Sequence, residues 1–191
     1  MSVVIGLTGN IACGKSLAGE ILKKHGVPVI DSDDIVHQIY AEDKKVQEAI
    51  IKEFASLDKK EIAKQIFGDT EKNKAKRKIL ESIIHPVVDE SLRVWIEENA
   101  QHKVIVNLIP LLFEAKLEKR YNFIVTITVD EGLQRARLRS RNPDMAEEEL
   151  EKRIRSQMPQ AEKIKKSDLV LSNNASPEEL EEQILQLLSQ F

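Results

Sequence analysis

The chain has 191 residues, 41% of them hydrophobic and 32% charged, with a net charge of −3. This is a globular balance without basic excess, which disfavours nucleic acid as the main partner, and no apolar run approaches the ~20 residues of a membrane span. The single cysteine, Cys13, rules out an intrachain disulfide, and a strand beginning near residue 3 leaves no room for a signal peptide, so a cytoplasmic protein is expected.

Val3 to Thr8 is a short, β-branched, apolar run and is expected to be a strand. It leads into Gly9-Asn10-Ile11-Ala12-Cys13-Gly14-Lys15-Ser16, which matches the phosphate-binding pattern G-x-x-x-x-G-K-[ST]. A helical pattern follows from Leu17, giving the strand, glycine loop, helix order the motif requires. Gly9 and Gly14 let the backbone turn its N–H groups inward. The helix N-terminus adds positive dipole, Lys15 adds a point charge, and the Ser16 hydroxyl is suited to ligate magnesium. Cys13 has two readings: a thiol activated by the helix N-terminus, or a small residue that fits the turn.

His25-Gly26 marks the helix end. Val27 to Asp31 reads as a second strand, and its continuous apolar run suits burial on both faces. A helix follows from Ile35 to Tyr40, with Asp33 or Asp34 suited to cap it. Asp31 and Asp33, two residues apart, would point the same way if the extended geometry persists. A carboxylate there can take the proton of an attacking hydroxyl and help hold magnesium; the alternative is that Asp33 or Asp34 only caps the helix.

Residues 43 to 102 show helical spacing and no strand. Val46, Ile50, Ile51 and Phe54 form one stripe, Ile62, Ile66 and Phe67 a second, and Ile79, Leu80, Ile83 and Ile84 a third. His85-Pro86 is expected to interrupt the third, because the residue before proline is pushed out of the α region. A helix then resumes from Val87 to Glu98, with Trp95 expected in the core. This block is a candidate insertion that holds a second substrate.

Val104 to Ile109 is the clearest internal strand, ended by Pro110, and Phe123 to Val129 is the next. Residues 131 to 167 are helical and heavily charged. Within them Arg135 and Arg139 share one helix face, and Arg137 and Arg141 share another. One pair could neutralise a transferring phosphoryl group, leaving the other solvated or paired with Glu147 to Glu149. Asp168 to Ser172 is a last strand, and Ser176-Pro177-Glu178 opens a terminal helix. Alternating strands and helices imply an α/β fold with a mostly parallel sheet covered on both faces. The chain has no Asn-Lys-x-Asp and no Asp-x-x-Gly after a strand, which argues against a GTPase. No histidine or cysteine set has the spacing of a structural metal site.

Several elements occur in a specific order: Ile5-Gly-Leu-Thr-Gly-Asn-Ile-Ala-Cys-Gly-Lys-Ser16, Val29-Ile-Asp-Ser-Asp33, His85-Pro86, Pro110-Leu-Leu-Phe-Glu114, Arg137 with Arg141, Arg153-Ile-Arg-Ser-Gln157 and Asn173-Asn174. With them the chain resembles the dephospho-CoA kinase family along essentially its whole length. The resemblance implies one domain over residues 1–191 with a P-loop NTPase, adenylate-kinase-like core and a parallel five-stranded sheet. The core would comprise 1–40, 103–130 and 168–191, with a helical CoA-binding subdomain at about 41–102 and a lid at about 131–167.

The implied reaction is transfer of the ATP γ-phosphoryl group to the ribose 3′-hydroxyl of dephospho-CoA. Asp33 stands at the family's base position, and Lys15, Arg137 and Arg141 complete the catalytic set. Residues Asn10, Ile11, Ala12, Cys13, Gly14, Lys15, Ser16 and Leu17, with Asn173 and Asn174, would hold ATP. Asp31, His85, Leu111 and Glu114 would lie near the acceptor, and Ser16 and Asp33 near magnesium. The expected partners are ATP and dephospho-CoA, with neither nucleic acid nor membrane, and the expected state is a monomer or weak oligomer. Asn10, Ala12, Cys13 and Leu17 stand where the family has Gly, Gly, Ser and Thr, and His37 stands where it has an arginine. Two other readings are another nucleotide or small-metabolite kinase of the same fold, and a nucleotide-binding regulator without turnover.

Overall fold

The computed structural model describes residues 2–68 and 70–191. The chain divides into two compact units, one comprising Met1–Asp31 with Asn99–Phe191 and the other Ser32–Glu98. The first contains the strands β1 (Val3–Gly9), β2 (Val29–Asp31), β3 (Val104–Leu108), β4 (Phe123–Thr128) and β5 (Leu169–Ser172). They form one parallel sheet in the order β2-β3-β1-β4-β5. Crossovers between parallel strands need helices. In this unit α1 (Lys15–Lys24) joins β1 to β2, α6 (Glu131–Arg141), α7 (Glu147–Arg155) and α8 (Gln160–Lys166) join β4 to β5, and the terminal α9 (Pro177–Leu188) follows β5.

The register sets Ile5 beside Val106 on one side and Phe123 on the other, so the β1 side chains sit at the centre of the sheet. Ile5, Leu7, Val106, Val125 and Ile127 pack with Leu22 of α1 and with Leu180, Ile184 and Leu187 of α9. Every residue of β3 is buried, as its apolar run predicts. β2 departs from expectation: it is an edge strand with all three residues half-buried. An apolar run reports burial of faces and does not distinguish an edge position from a central one. At the start of α9 the Ser176 side chain accepts from Glu179 N–H, with Pro177 in the first turn, as the sequence indicates.

The second unit is helical: α2 (Ser32–Glu42), α3 (Lys44–Phe54), α4 (Lys59–Ile66) and α5 (Glu71–Glu98). Asp43 and Asp58 cap α3 and α4 by accepting backbone N–H groups of the first turns. α5 is the spine of the unit, packed against α2, α3 and α4. Ile35, Ile39, Val46, Ile50, Phe54, Ile62, Ile84 and Leu92 are its buried apolar residues. Ile51 and Phe67, from the predicted stripes, are instead exposed, and Trp95 is half-buried rather than in the core.

The expected break at His85-Pro86 does not occur. α5 runs unbroken through Pro86 for 28 residues. Proline removes one helical hydrogen bond and strains one turn, but helix–helix packing along the rest of α5 outweighs that local loss. Among the described residues no helix is long and apolar enough to cross a membrane.

Candidate active site

All five strands are parallel, so their carboxyl ends share one edge of the sheet, where ligands of open α/β folds gather. The loop after β1 lies there and is shaped by close approach. Gly9 has φ +149°, and a Cβ on it would fall 2.4 Å from the Ile127 carbonyl oxygen. Gly14 has φ +102°, and a Cβ there would fall 2.0 Å from Asn173 Nδ2. Neither position has room for a side chain.

Ala12 takes the left-handed region without being glycine, at φ +61°. That costs about 1 kcal/mol, and burial of its methyl against Leu138 of α6 and Leu150 of α7 offsets it. Cys13 is fully buried in the main core. Burial pushes its thiol above the ordinary value, against the opposing pull of Lys15. Of its two readings, the structure favours the packing residue over the activated thiol.

Side chains distant in sequence fasten the loop. Ile11 N–H donates to Gln157 Oε1 at 2.7 Å, and Gln134 Nε2 donates to the Ile11 carbonyl at 2.9 Å. Asn10 Nδ2 donates to the Met158 carbonyl at 3.2 Å, and Asn173 Nδ2 to the Cys13 carbonyl at 2.8 Å. The first i→i−4 bond of α1 is Ala18 N–H to the Gly14 carbonyl. The N–H groups of Gly14, Lys15, Ser16 and Leu17 therefore have no helical acceptor, the arrangement that suits a helix end to an anion. Lys15 Nζ donates to the Gly9 carbonyl at 2.9 Å, so its ammonium lies across the loop. Ser16 is exposed in the same first turn.

Asp31 is the last residue of β2 and half-buried, whereas Asp33 is exposed in the first turn of α2. The extended geometry therefore stops at Asp31, and the two carboxylates do not share strand spacing. Asp33 and Asp34 lie inside α2 rather than at its cap, because the helix begins at Ser32. His85 is exposed in the middle of α5.

The arginines of α6 separate by face, as their spacing requires. Arg135 pairs with Glu131 and Glu151, and Arg139 pairs with Glu147 and donates to the Met145 carbonyl. On the other face, one Nη of Arg137 donates to the Asn173 carbonyl at 3.0 Å while the other is buried without a hydrogen-bond partner. Arg141 is exposed at the end of α6.

Asn173 and Asn174 are both occupied within the protein. Asn173 reaches Cys13, and Asn174 exchanges bonds with Asp130 through its N–H at 2.7 Å and its carboxylate at 2.8 Å. Beyond β3, Leu111 is exposed. Glu114 Oε1 accepts from Met158 N–H at 2.8 Å and lies 2.9 Å from Lys163 Nζ. Desolvation pushes the Glu114 carboxyl up, but its hydrogen bonds from Lys163 and the backbone, with the Lys163 charge, outweigh this and hold it below the usual carboxylate range.

Two residues of this site, Gln134 and Lys163, carry no sequence signal. Both belong to charged, helical stretches in which their partners cannot be read from spacing. Gln157 is visible in the sequence only as part of a motif, without its role on the loop. Among the described residues no three or more His, Cys, Asp or Glu side chains cluster in a metal-holding group.

Comparison with known proteins gives this geometry a family. The CoaE model, dephospho-CoA kinase, matches residues 3–179. A dephospho-CoA kinase of Carboxydothermus hydrogenoformans is 37% identical over 198 residues, covering 98% of this chain and 94% of the relative. A crystal structure from Thermus thermophilus superposes with a TM-score of 0.83 at 29% identity, covering 100% of this chain and 98% of that one. Dephospho-CoA kinase from Campylobacter jejuni superposes with a TM-score of 0.68 at 27% identity, covering 100% and 97%. With a family match over most of its length, in a sheet and loop built as described, the chain belongs to the dephospho-CoA kinase family.

Proposed function

We propose that this chain phosphorylates dephospho-CoA with ATP through a site centred on the loop Gly9–Ser16. The reaction is the family's: ATP-dependent phosphorylation of the 3′-hydroxyl of dephospho-CoA, giving coenzyme A and ADP. The N–H groups from Gly14 to Leu17 and the Lys15 ammonium hold the phosphates. For that, Lys15 exchanges the Gly9 carbonyl for a phosphate oxygen. Asp33 accepts the proton of the attacking hydroxyl. Arg137 and Arg141 neutralise charge as the phosphoryl group moves and, with α6–α8 acting as a lid, exclude water.

Asp31, His85 and Leu111 serve the acceptor. The Asn173-Asn174 loop shapes the adenine side through its backbone, since both side chains are engaged elsewhere. Magnesium suits Ser16, whose exposed hydroxyl stands in the first turn of α1 beside N–H groups that no helical carbonyl accepts. With few protein carboxylates at hand, the ion would take most of its ligands from phosphate and water, as is usual for it. It would supply charge neutralisation on the phosphates. The buried thiol of Cys13 suits a reducing, cytoplasmic setting.

The observation that carries this reading is the family match over residues 3–179. The test is ADP release with dephospho-CoA, AMP, UMP or shikimate as acceptor. Saturable release with dephospho-CoA alone is expected. Preference for another acceptor would make the chain a different small-metabolite kinase, and acceptor-independent binding without turnover would make it a regulator.

A further inference from the structure

Lys163 is completely buried, with 0% of its side chain exposed. A buried cation is strongly disfavoured unless it is paired and hydrogen-bonded, and Lys163 is both. Its Nζ lies 2.9 Å from Glu114 Oε1 and donates to the Pro110 carbonyl at 3.1 Å. The same Glu114 oxygen accepts the Met158 N–H at 2.8 Å, and the Met158 carbonyl accepts from Asn10 Nδ2 at 3.2 Å. Asn10 belongs to the phosphate loop, and its Oδ1 is buried without a hydrogen-bond partner. The bond to Met158 therefore anchors its side chain alone. A second path reaches the strand just before the loop, because the Pro110 carbonyl also accepts from Thr8 Oγ1 at 3.4 Å.

We propose that Glu114, held in place by buried Lys163, is a positioning residue for the phosphate loop, acting on Asn10 through the Met158 peptide. This assigns Glu114 to the ATP side of the reaction rather than to the acceptor. Lys163 fixes the carboxylate, the carboxylate fixes the peptide, and the peptide fixes the loop from which the N–H donors project. The proposal rests on the reading that Gly9–Ser16 holds the phosphates of ATP.

Two double variants test it. Lys163→Met with Glu114→Gln, and Lys163→Met with Glu114→Leu, both replace the buried pair by uncharged side chains of similar volume, an exchange that folded proteins tolerate. Only the Glu114→Gln variant keeps a side-chain oxygen that can still accept the Met158 N–H. The leucine double variant should bind a non-hydrolysable ATP analogue about tenfold more weakly than the glutamine one, the effect of one buried group left unpaired. Its KM for ATP should rise in step while its KM for dephospho-CoA stays unchanged. Equal analogue binding by the two would overturn the proposal, even if their melting temperatures differ. So would a loss confined to the KM for dephospho-CoA, which would return Glu114 to the acceptor. Failure of the unsubstituted protein to bind the analogue would instead strike the reading of the loop.

Discussion

The sheet unit and the helical unit bury different things. Among the described residues every buried polar or charged side chain, from Thr8 and Asn10 to Lys163 and Asn173, lies in the sheet unit. Among the described residues of Ser32–Glu98 the buried side chains are all apolar. Hydrogen bonds are directional and fix atoms relative to one another. Apolar burial is non-directional and holds a shape without fixing its polar groups. Chemistry that needs atoms placed to within fractions of an ångström belongs on the first kind of scaffold, and accommodation of a large acceptor suits the second.

The largest expected effect lies where that contrast is sharpest. Lys15→Ala should lower turnover about 10³-fold, the upper end for losing one electrostatic stabiliser, with little change in melting temperature because the side chain is not part of the core. Near-normal turnover would remove the loop from the chemistry. Asp33→Asn probes the contrast from the other side, since Asp33 opens the first helix of the helical unit. As the base it should lower kcat about 10²- to 10³-fold while ATP binding stays the same. An unchanged kcat would leave the helical unit without a reacting group and the contrast complete.

The four arginines of α6 repeat the comparison on one helix. Arg139 is committed to Glu147 and Met145, whereas Arg141 lies on the face of Arg137. Arg141→Ala should lower kcat about 10²-fold. Arg139→Ala, which removes a partly exposed ion pair, should cost at most about 1 kcal/mol of stability and leave kcat alone. The reverse pattern would mean that the catalytic face of α6 has been misassigned.

What was legible in the sequence follows the same division. The phosphate loop could be read because backbone geometry demands glycine at Gly9 and Gly14, and the two faces of α6 could be read because helical spacing is local. The helices of the second unit were legible for the same reason, although Ile51 and Phe67 of their expected stripes are exposed. The fastening of the loop was not, because Gln134 and Ile11 are 123 residues apart and Met158 and Glu114 are 44 apart. No local pattern marks such pairs, and Lys163 looks in sequence like any solvated lysine. The Asp31–Asp33 pairing failed where a local rule was extended across an element boundary, because α2 begins at Ser32 rather than at Ile35.

The smallest effect expected concerns the other local rule that failed. Pro86 lies exposed inside α5, lacks the N–H that would bond to the Ser82 carbonyl, and sets its ring against that group. Pro86→Ala restores one hydrogen bond and relieves that contact, so it should stabilise the protein by about 1–2 kcal/mol and raise the melting temperature by a few degrees. A lower melting temperature would show that the ring itself contributes packing. The KM for dephospho-CoA decides what the proline is for. Unchanged, it makes Pro86 a tolerated irregularity in a unit that supplies only shape. Raised, it means that the helical turn at His85-Pro86 fits the acceptor, and that the helical unit fixes part of the site through its backbone where the sheet unit uses buried hydrogen bonds.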